Sequence, residues 1–286
     1  MAEFIEVADR LWVARYEWFD VNVSVVAGTD GLLVVDTNAS EVAARTVLSD
    51  LRRLSDAPLV AAVNTHVHFD HTFGNGVFAA EGAELVAHEE AAAALPVHAA
   101  EIRARAAAEA DEDQRYAELA ATEVVLPGRT FSSALTLDLG DRLVELVHPG
   151  RGHTSGDLVV RVDDADVVLA GDLVEESTAR DGVPGFGSDC FPMDWPSTLD
   201  LVLNLVGPGT VVMPGHGAPV GRDFVEEQRA ALGVVAETIR DLAGRGVPLD
   251  QALDAAEWPY PREALADAVR RGYEHLPRAQ KRLPLI

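Results

Sequence analysis

The chain has 286 residues, 48% hydrophobic and 24% charged, which is enough for a sizeable core and ordinary for a globular protein. Its formal net charge is −24, Lys281 is the only lysine and the arginines are scattered, which argues against nucleic acid as a partner. The single cysteine, Cys190, excludes an internal disulfide, and no apolar run approaches the roughly 18 residues that a membrane span needs.

The first ten residues, MAEFIEVADR, lack the basic-then-apolar pattern of a secretory signal, so a cytoplasmic protein is expected. The stretch NVSVVAGTDGLLVVDT reads as a β-hairpin turning at Thr29-Asp30-Gly31. Residues 40–54 read as a helix, with Ser40 as its N-cap and Val47, Leu48, Leu51 and Leu54 at helical spacing. A short strand over 59–63, a helix over 72–80 and a strand over 84–87 follow, the alternation of an α/β fold. Residues 88–122, rich in Ala, Glu and Arg, predict one or two helices. Strands are expected over 123–126, 135–137, 143–147, 158–162 and 167–170, separated by turn signals such as Gly140-Asp141. A loop over 180–196, a helix near 197–205 and a strand over 210–213 come next. The rest is helical, with Leu232, Val235, Ile239 and Leu242 on one face and Gly244 at the end of the run. One compact domain, residues 1–220 with a helical insert at about 88–122, is expected to carry a helical extension over 221–286.

The stretch THVHFDHTFGN, residues 65–75, concentrates three of the nine histidines beside an aspartate. If the preceding strand stays extended, His66, His68 and Asp70 project to one side, and the turn into the next helix brings His71 back toward them. Imidazoles with a carboxylate suit zinc, iron or manganese. Three complements lie in small-residue turns just past other strands: His153 in GRGHTSGD, Asp172 in AGDL and His216 in MPGHGAP. Each is a weak signal by itself, because a histidine in a Gly-rich loop is commonly a surface residue. Asp36, ending the second hairpin strand, is placed either to orient an imidazole or merely to cap its turn.

HxHxDH, then GHTxGD, GD after a strand and PGHG, spanning residues 66–217, resembles the metallo-β-lactamase superfamily, and the preceding hairpin fits as well. The resemblance implies an α/β fold, a four-layer αββα sandwich with the metal site at one edge of its sheets. It implies that His66, His68 and His153 hold a first metal, that Asp70, His71 and His216 hold a second, and that Asp172 bridges them. The implied activity is that of a hydrolase with two zinc ions per chain, iron or manganese being alternatives. A metal-bridging hydroxide would cleave an ester, thioester, lactone or amide in a small organic molecule, with Asp70 orienting it. The aspartate bridge resembles the hydroxyacylglutathione hydrolase type rather than β-lactamases with a cysteine there, and Cys190 reads as a packing or loop residue.

Two rivals are carried forward. One is a mononuclear iron enzyme similar to the persulfide dioxygenases of the same superfamily, using His66, His153 and Asp172. The other is a binding protein on a retained fold, whose mark would be missing ligands. Ser155 reads as a capping residue, His88 as a helix start, His148 as structural, and His98 and His275 as helix-surface residues. Trp18, Phe19, Phe186, Phe191 and Trp195 are expected either to wall the site or to pack under loops. The 88–122 helices are open to two readings, a lid or the face of a homodimer.

Overall fold

The computed structural model describes residues 2–277. Strands β1 (Ile5–Ala8) and β2 (Leu11–Tyr16) lead into the hairpin β3 (Val21–Gly28) and β4 (Gly31–Val35). The hairpin closes over Thr29-Asp30, with Gly28 opposite Gly31. Helix α1 (Glu41–Leu54) starts where expected: the Ser40 hydroxyl accepts from the Ala43 N–H, and Ala44, Val47 and Leu51 form its buried stripe. After β5 (Leu59–Asn64) come two short helices, α2 (Phe69–Thr72) and α3 (Asn75–Ala80), where one was expected. Then follow β6 (Glu84–His88), α4 (Glu89–Ala108), α5 (Gln114–Ala121) and β7 (Arg129–Phe131).

The strand expected over 123–126 is absent; those residues are irregular. Asn75 donates from its Nδ2 to the Val125 carbonyl, and Val124 and Val125 pack into two different apolar clusters, so side chains rather than a ladder hold the segment. Next come β8 (Ala134–Asp138), β9 (Leu143–Val147), β10 (Val159–Val162) and β11 (Val167–Glu175). β11 runs five residues beyond the expected Ala170, so Asp172 lies within it rather than past it. After α6 (Trp195–Leu203) and β12 (Val211–His216) come α7 (Arg222–Gly244), α8 (Leu249–Ala252) and α9 (Ala266–His275); the last part of the expected helical extension, 278–286, lies outside the described residues.

The strands join in the order β7-β6-β5-β4-β3-β12-β11-β10-β9-β8, with β2 also on β3 and β1 on β2. The two halves of this path meet at one residue pair, His216 opposite Val21. Each half then packs its inner face on the other. One core mixes Leu11, Val26, Leu33 and Val63 of the first half with Leu146, Val160, Leu169 and Met213 of the second. A second core packs the first half against α1 and α3 through Val47, Leu51 and Phe78. A third packs β10, β11 and β12 against α6, α7 and α9 through Leu199, Leu232, Val235, Ile239, Leu242 and Val269. β4 and β11 are buried along their whole length; β4 is apolar throughout, while β11 carries Asp172 and Glu175 into the interior. Among the described residues no helix is long and apolar enough to cross a membrane.

Gly74 joins α2 to α3 against the loop after β4. Its φ of −79° suits any residue, but a Cβ there would lie 1.9 Å from the Thr37 carbonyl oxygen and 2.5 Å from the Ala44 Cβ. Both neighbours are fixed, so Gly74→Ala is expected to destabilise the protein by about 1–3 kcal/mol. A chemical-denaturation midpoint that did not move would contradict the packing described.

Candidate metal centre

Between β5 and α2 the backbone leaves the sheet, so the alternation expected of an extended strand does not place the motif. His66 and His68 come from the connecting turn, and Asp70 and His71 from α2. The turn is tied down by Asp36, which sits in the left-handed region at φ 64° just after β4. Its Oδ1 accepts from the Thr65 N–H at 2.8 Å, and its Oδ2 accepts from the Thr65 hydroxyl at 2.8 Å and from His71 Nδ1 at 2.7 Å. Of the two roles open to Asp36, orienting an imidazole is the one the contacts serve.

His153 projects from the loop between β9 and β10. The Asp157 carboxylate holds that loop by accepting from the N–H groups of Gly152 and Thr154 and from the Thr154 hydroxyl. That work falls to Thr154 and Asp157 rather than to Ser155. Asp172 sits where β11 is irregular: Gly171 adopts φ 53°, and the register with β12 shifts on either side of it. Across from it, a Cβ on Gly215 would lie 1.9 Å from Asp172 Oδ1, so only glycine admits the carboxylate. His216 ends β12.

The seven side chains named in the sequence converge. Ring nitrogens of His66, His68 and His153 and an Asp172 oxygen lie within 4.8 Å of one another, as do ligand atoms of Asp70, His71 and His216. Asp172 touches both sets. Its Oδ2 is 3.4 Å from His153 Nε2 and 3.1 Å from His216 Nε2, and its Oδ1 is 3.2 Å from His71 Nε2. Asp70 Oδ2 is 3.5 Å from His216 Nε2. Apart from half-buried His68, all seven are buried.

Each imidazole turns one nitrogen outward to an acceptor. His71 Nδ1 donates to Asp36, His216 Nδ1 to the Phe19 carbonyl at 2.8 Å, and His153 Nδ1 to the Gly185 carbonyl at 2.7 Å. His68 Nε2 donates to Asp189 at 3.1 Å, and His66 Nδ1 to the Thr65 oxygen at 3.1 Å. That network occupies the outer nitrogens and leaves five ring nitrogens facing inward, each able to bind a metal or a proton. Inside, His153 Nε2 lies 2.8 Å from His68 Nδ1, and His71 Nε2 lies 3.3 Å from His216 Nε2. His66 Nε2 is buried with no hydrogen-bond partner.

The electrostatics divide accordingly. Burial, then the charge of His71, holds His66 well below the usual imidazole range. Burial, then His68, pushes His153 down to about 3. His71 and His216 rise despite burial, because Asp172 and the other carboxylates draw a proton to them. Asp172 falls well below its ordinary value against burial, through His216 and His71. A centre with inward lone pairs and two ionised carboxylates takes up either protons or a cation.

Four residues escaped the sequence reading. Asp189 lies in the loop before α6 and carries the outer hydrogen bond of His68. His98 is not a surface residue of α4: its ring stacks on His68 with centroids 5.1 Å apart, and its buried Nε2 has no partner. Burial, then His68, pushes it down to about 4. A lone histidine in an Ala-rich helix gives no local signal. Arg180 reaches Asp70 at 3.6 Å, Asp172 at 3.8 Å and Glu175 at 3.4 Å. Burial, then the charge of Asp172, raises Glu175 to about 7.

A cavity of about 840 Å³ opens over the cluster. Phe19 and Phe186 line it, as do His98 and Ile102 of α4 and Arg180 and Asp189 of the segment between β11 and α6. Both segments that could cover the site therefore wall it. The other aromatics pack elsewhere. Trp18 lies against the α4–α5 cluster, Phe191 stacks on His275 under Arg151 and Arg271, and Trp195 is fully buried in the third core. Cys190 is buried in that same core, and His148 stacks on His88, which caps α4.

A family model described as the metallo-β-lactamase superfamily matches residues 16–216. The chain is 24% identical over 196 residues to a metallo-β-lactamase type 2 of Bacillus cereus, covering 68% of this chain and 66% of that protein. It is 28% identical over 242 residues to an acyl-coenzyme A thioesterase of Homo sapiens, covering 74% and 75%. A solved metallo-β-lactamase from Pontibacter korlensis shares the fold at TM-score 0.65 and 20% identity, over 82% of this chain and 99% of that one. The chain spans about half to two thirds of the length of the first curated relatives it matches.

Asp36→Ala strips acceptors from the buried Thr65 N–H and His71 Nδ1–H. It is expected to destabilise the protein by about 2–5 kcal/mol and to weaken divalent-metal affinity about 10–100-fold. Asp36→Asn, which keeps one acceptor, is expected to fall between. Metal titration of the two variants beside wild type checks the order, and equal affinities in all three would contradict it.

Proposed function

Because the chain belongs to the metallo-β-lactamase superfamily, we propose that it is a metal-dependent hydrolase whose centre is built by the seven converging side chains. The observation that carries this reading is the set of outer hydrogen bonds: five imidazoles, each with one ring nitrogen bonded outward, aim the other nitrogen at one space that two carboxylates share. Such a donor set fits divalent metal, and the partnerless His66 Nε2 is a buried polar atom that a metal would satisfy.

We assign His66, His68 and His153 to one ion and Asp70, His71 and His216 to a second, with Asp172 contributing to both, and zinc as the ion, two per chain. Bound metals would lower the pKa of water and polarise the oxygen of the bond to be cleaved. The chain's own residues do the rest. Asp70, kept ionised against burial by His71 and His216, orients the attacking water and takes part in moving its proton. Phe19 and Phe186 limit water access, and Arg180 offsets the carboxylate charge at the cavity floor. The substrate is a small organic ester, thioester, lactone or amide. The two curated relatives described above, a β-lactamase and a thioesterase, support this class. The three apolar cores support the finer architecture, a four-layer αββα sandwich over residues 1–220 followed by a helical extension.

A panel of the four bond types tests the reading. Turnover is expected in at least one class, abolished by a chelator and restored by divalent metal. His66→Ala and Asp172→Ala are expected to lower it more than about a hundredfold while retaining the circular-dichroism spectrum. Full turnover in either variant would overturn the site.

A further inference from the structure

The cavity over the ligand cluster has a neighbour. A second hollow of about 160 Å³ lies between α4, α5 and the turn ahead of β3. Phe19, Phe69, Ile102 and Arg105 line both spaces, so the two share a wall. Ala106 and Leu119 are its buried floor, and Tyr116 of α5 lines its side. Phe19 and Phe69 meet edge to face at 4.9 Å on the side toward the cluster. The charged groups lining the hollow are Arg105 and Glu109. They face each other at 3.7 Å, one helical turn apart, and form a polar lip over an apolar interior.

Phe69 immediately precedes Asp70, so the apolar wall starts one residue from the cluster. A group attached to a bond held over His68 and Asp70 would reach the hollow by passing the Phe19–Phe69 pair, which lines both spaces. Partly exposed Phe, Ile and Tyr around an open space leave apolar area in water that a bound chain would remove. Apart from its lip and the hydroxyl of Tyr116, the side chains lining the hollow are apolar.

We propose that the α4–α5 hairpin forms an acyl-chain site, and that the substrate is the ester or thioester of an unbranched medium-chain fatty acid. This rests on the hydrolase reading of the neighbouring cluster. The test is calorimetric titration of the metal-loaded protein with straight-chain carboxylates from acetate to decanoate. Affinity is expected to rise about three- to fourfold per added methylene until the hollow is full. Ile102→Trp, which fills the hollow, is expected to flatten the series and to weaken octanoate at least tenfold. Ile102→Ala, which cannot clash, is expected to reduce the rise per methylene; thermal melts of both variants verify folding.

A flat series in wild type, or a rise that Ile102→Trp and Ile102→Ala leave untouched, overturns the chain site. Neither result bears on hydrolysis. Conversely, the series needs no turnover. A protein that follows it yet cleaves none of the four bond types keeps the chain site and loses the hydrolase reading.

Discussion

Everything at the centre depends on where five histidines put their outer N–H groups. An imidazole offers a metal one lone pair, and which nitrogen carries it is decided by the hydrogen bond the other makes. Here Asp36, Thr65, Asp189 and the carbonyls of Phe19 and Gly185 make those five decisions. Those acceptors come from four separate places along the chain. The centre is therefore correct only when β4, the turn before β3, the turn after β5 and the loop after β11 are all in place.

The fold supplies that agreement cheaply. The backbones of the two halves of the sheet pair where His216 lies opposite Val21, and the strand ends around that junction open into one shared space. Loops from β5, β9, β11 and β12 all empty there. The close approaches this requires fall on glycines: Gly74 under Thr37, Gly152 against Leu173 and Trp195, and Gly215 against Asp172. Left-handed backbone at non-glycine residues also falls beside the centre, at Phe19 (φ 62°), Asp36 (φ 64°) and Asn38 (φ 71°).

Much of this was legible in the sequence, and the reasons are physical. The HxHxDH run, the hairpin, α1 and α7 are local patterns, set by spacing, turn chemistry and caps, and all of them appear. His66, His68, Asp70 and His71 were found as one dense cluster, and His153, Asp172 and His216 because each stands among small residues beside a strand. What stayed hidden is what depends on tertiary packing. His98 and Asp189 meet His68 from distant segments whose local sequence says nothing about the site. Residues 123–126 have strand composition but are held by Asn75 and by side-chain packing. β11 continues through Gly171 and Asp172 because β12 pairs alongside it, which overrides the turn signal that Gly-Asp gives locally. Aromatic content was equally ambiguous: Phe186 walls the cavity, while Trp195, nine residues later, belongs to the core.

The central claim is that seven side chains hold two divalent ions. The most direct test is elemental analysis of protein purified without metal bias, paired with anomalous diffraction at the zinc edge. The account predicts about two zinc ions per chain, one among His66, His68 and His153 and the other among Asp70, His71 and His216, with Asp172 between them. A single iron per chain, or a metal bound away from these residues, would contradict it.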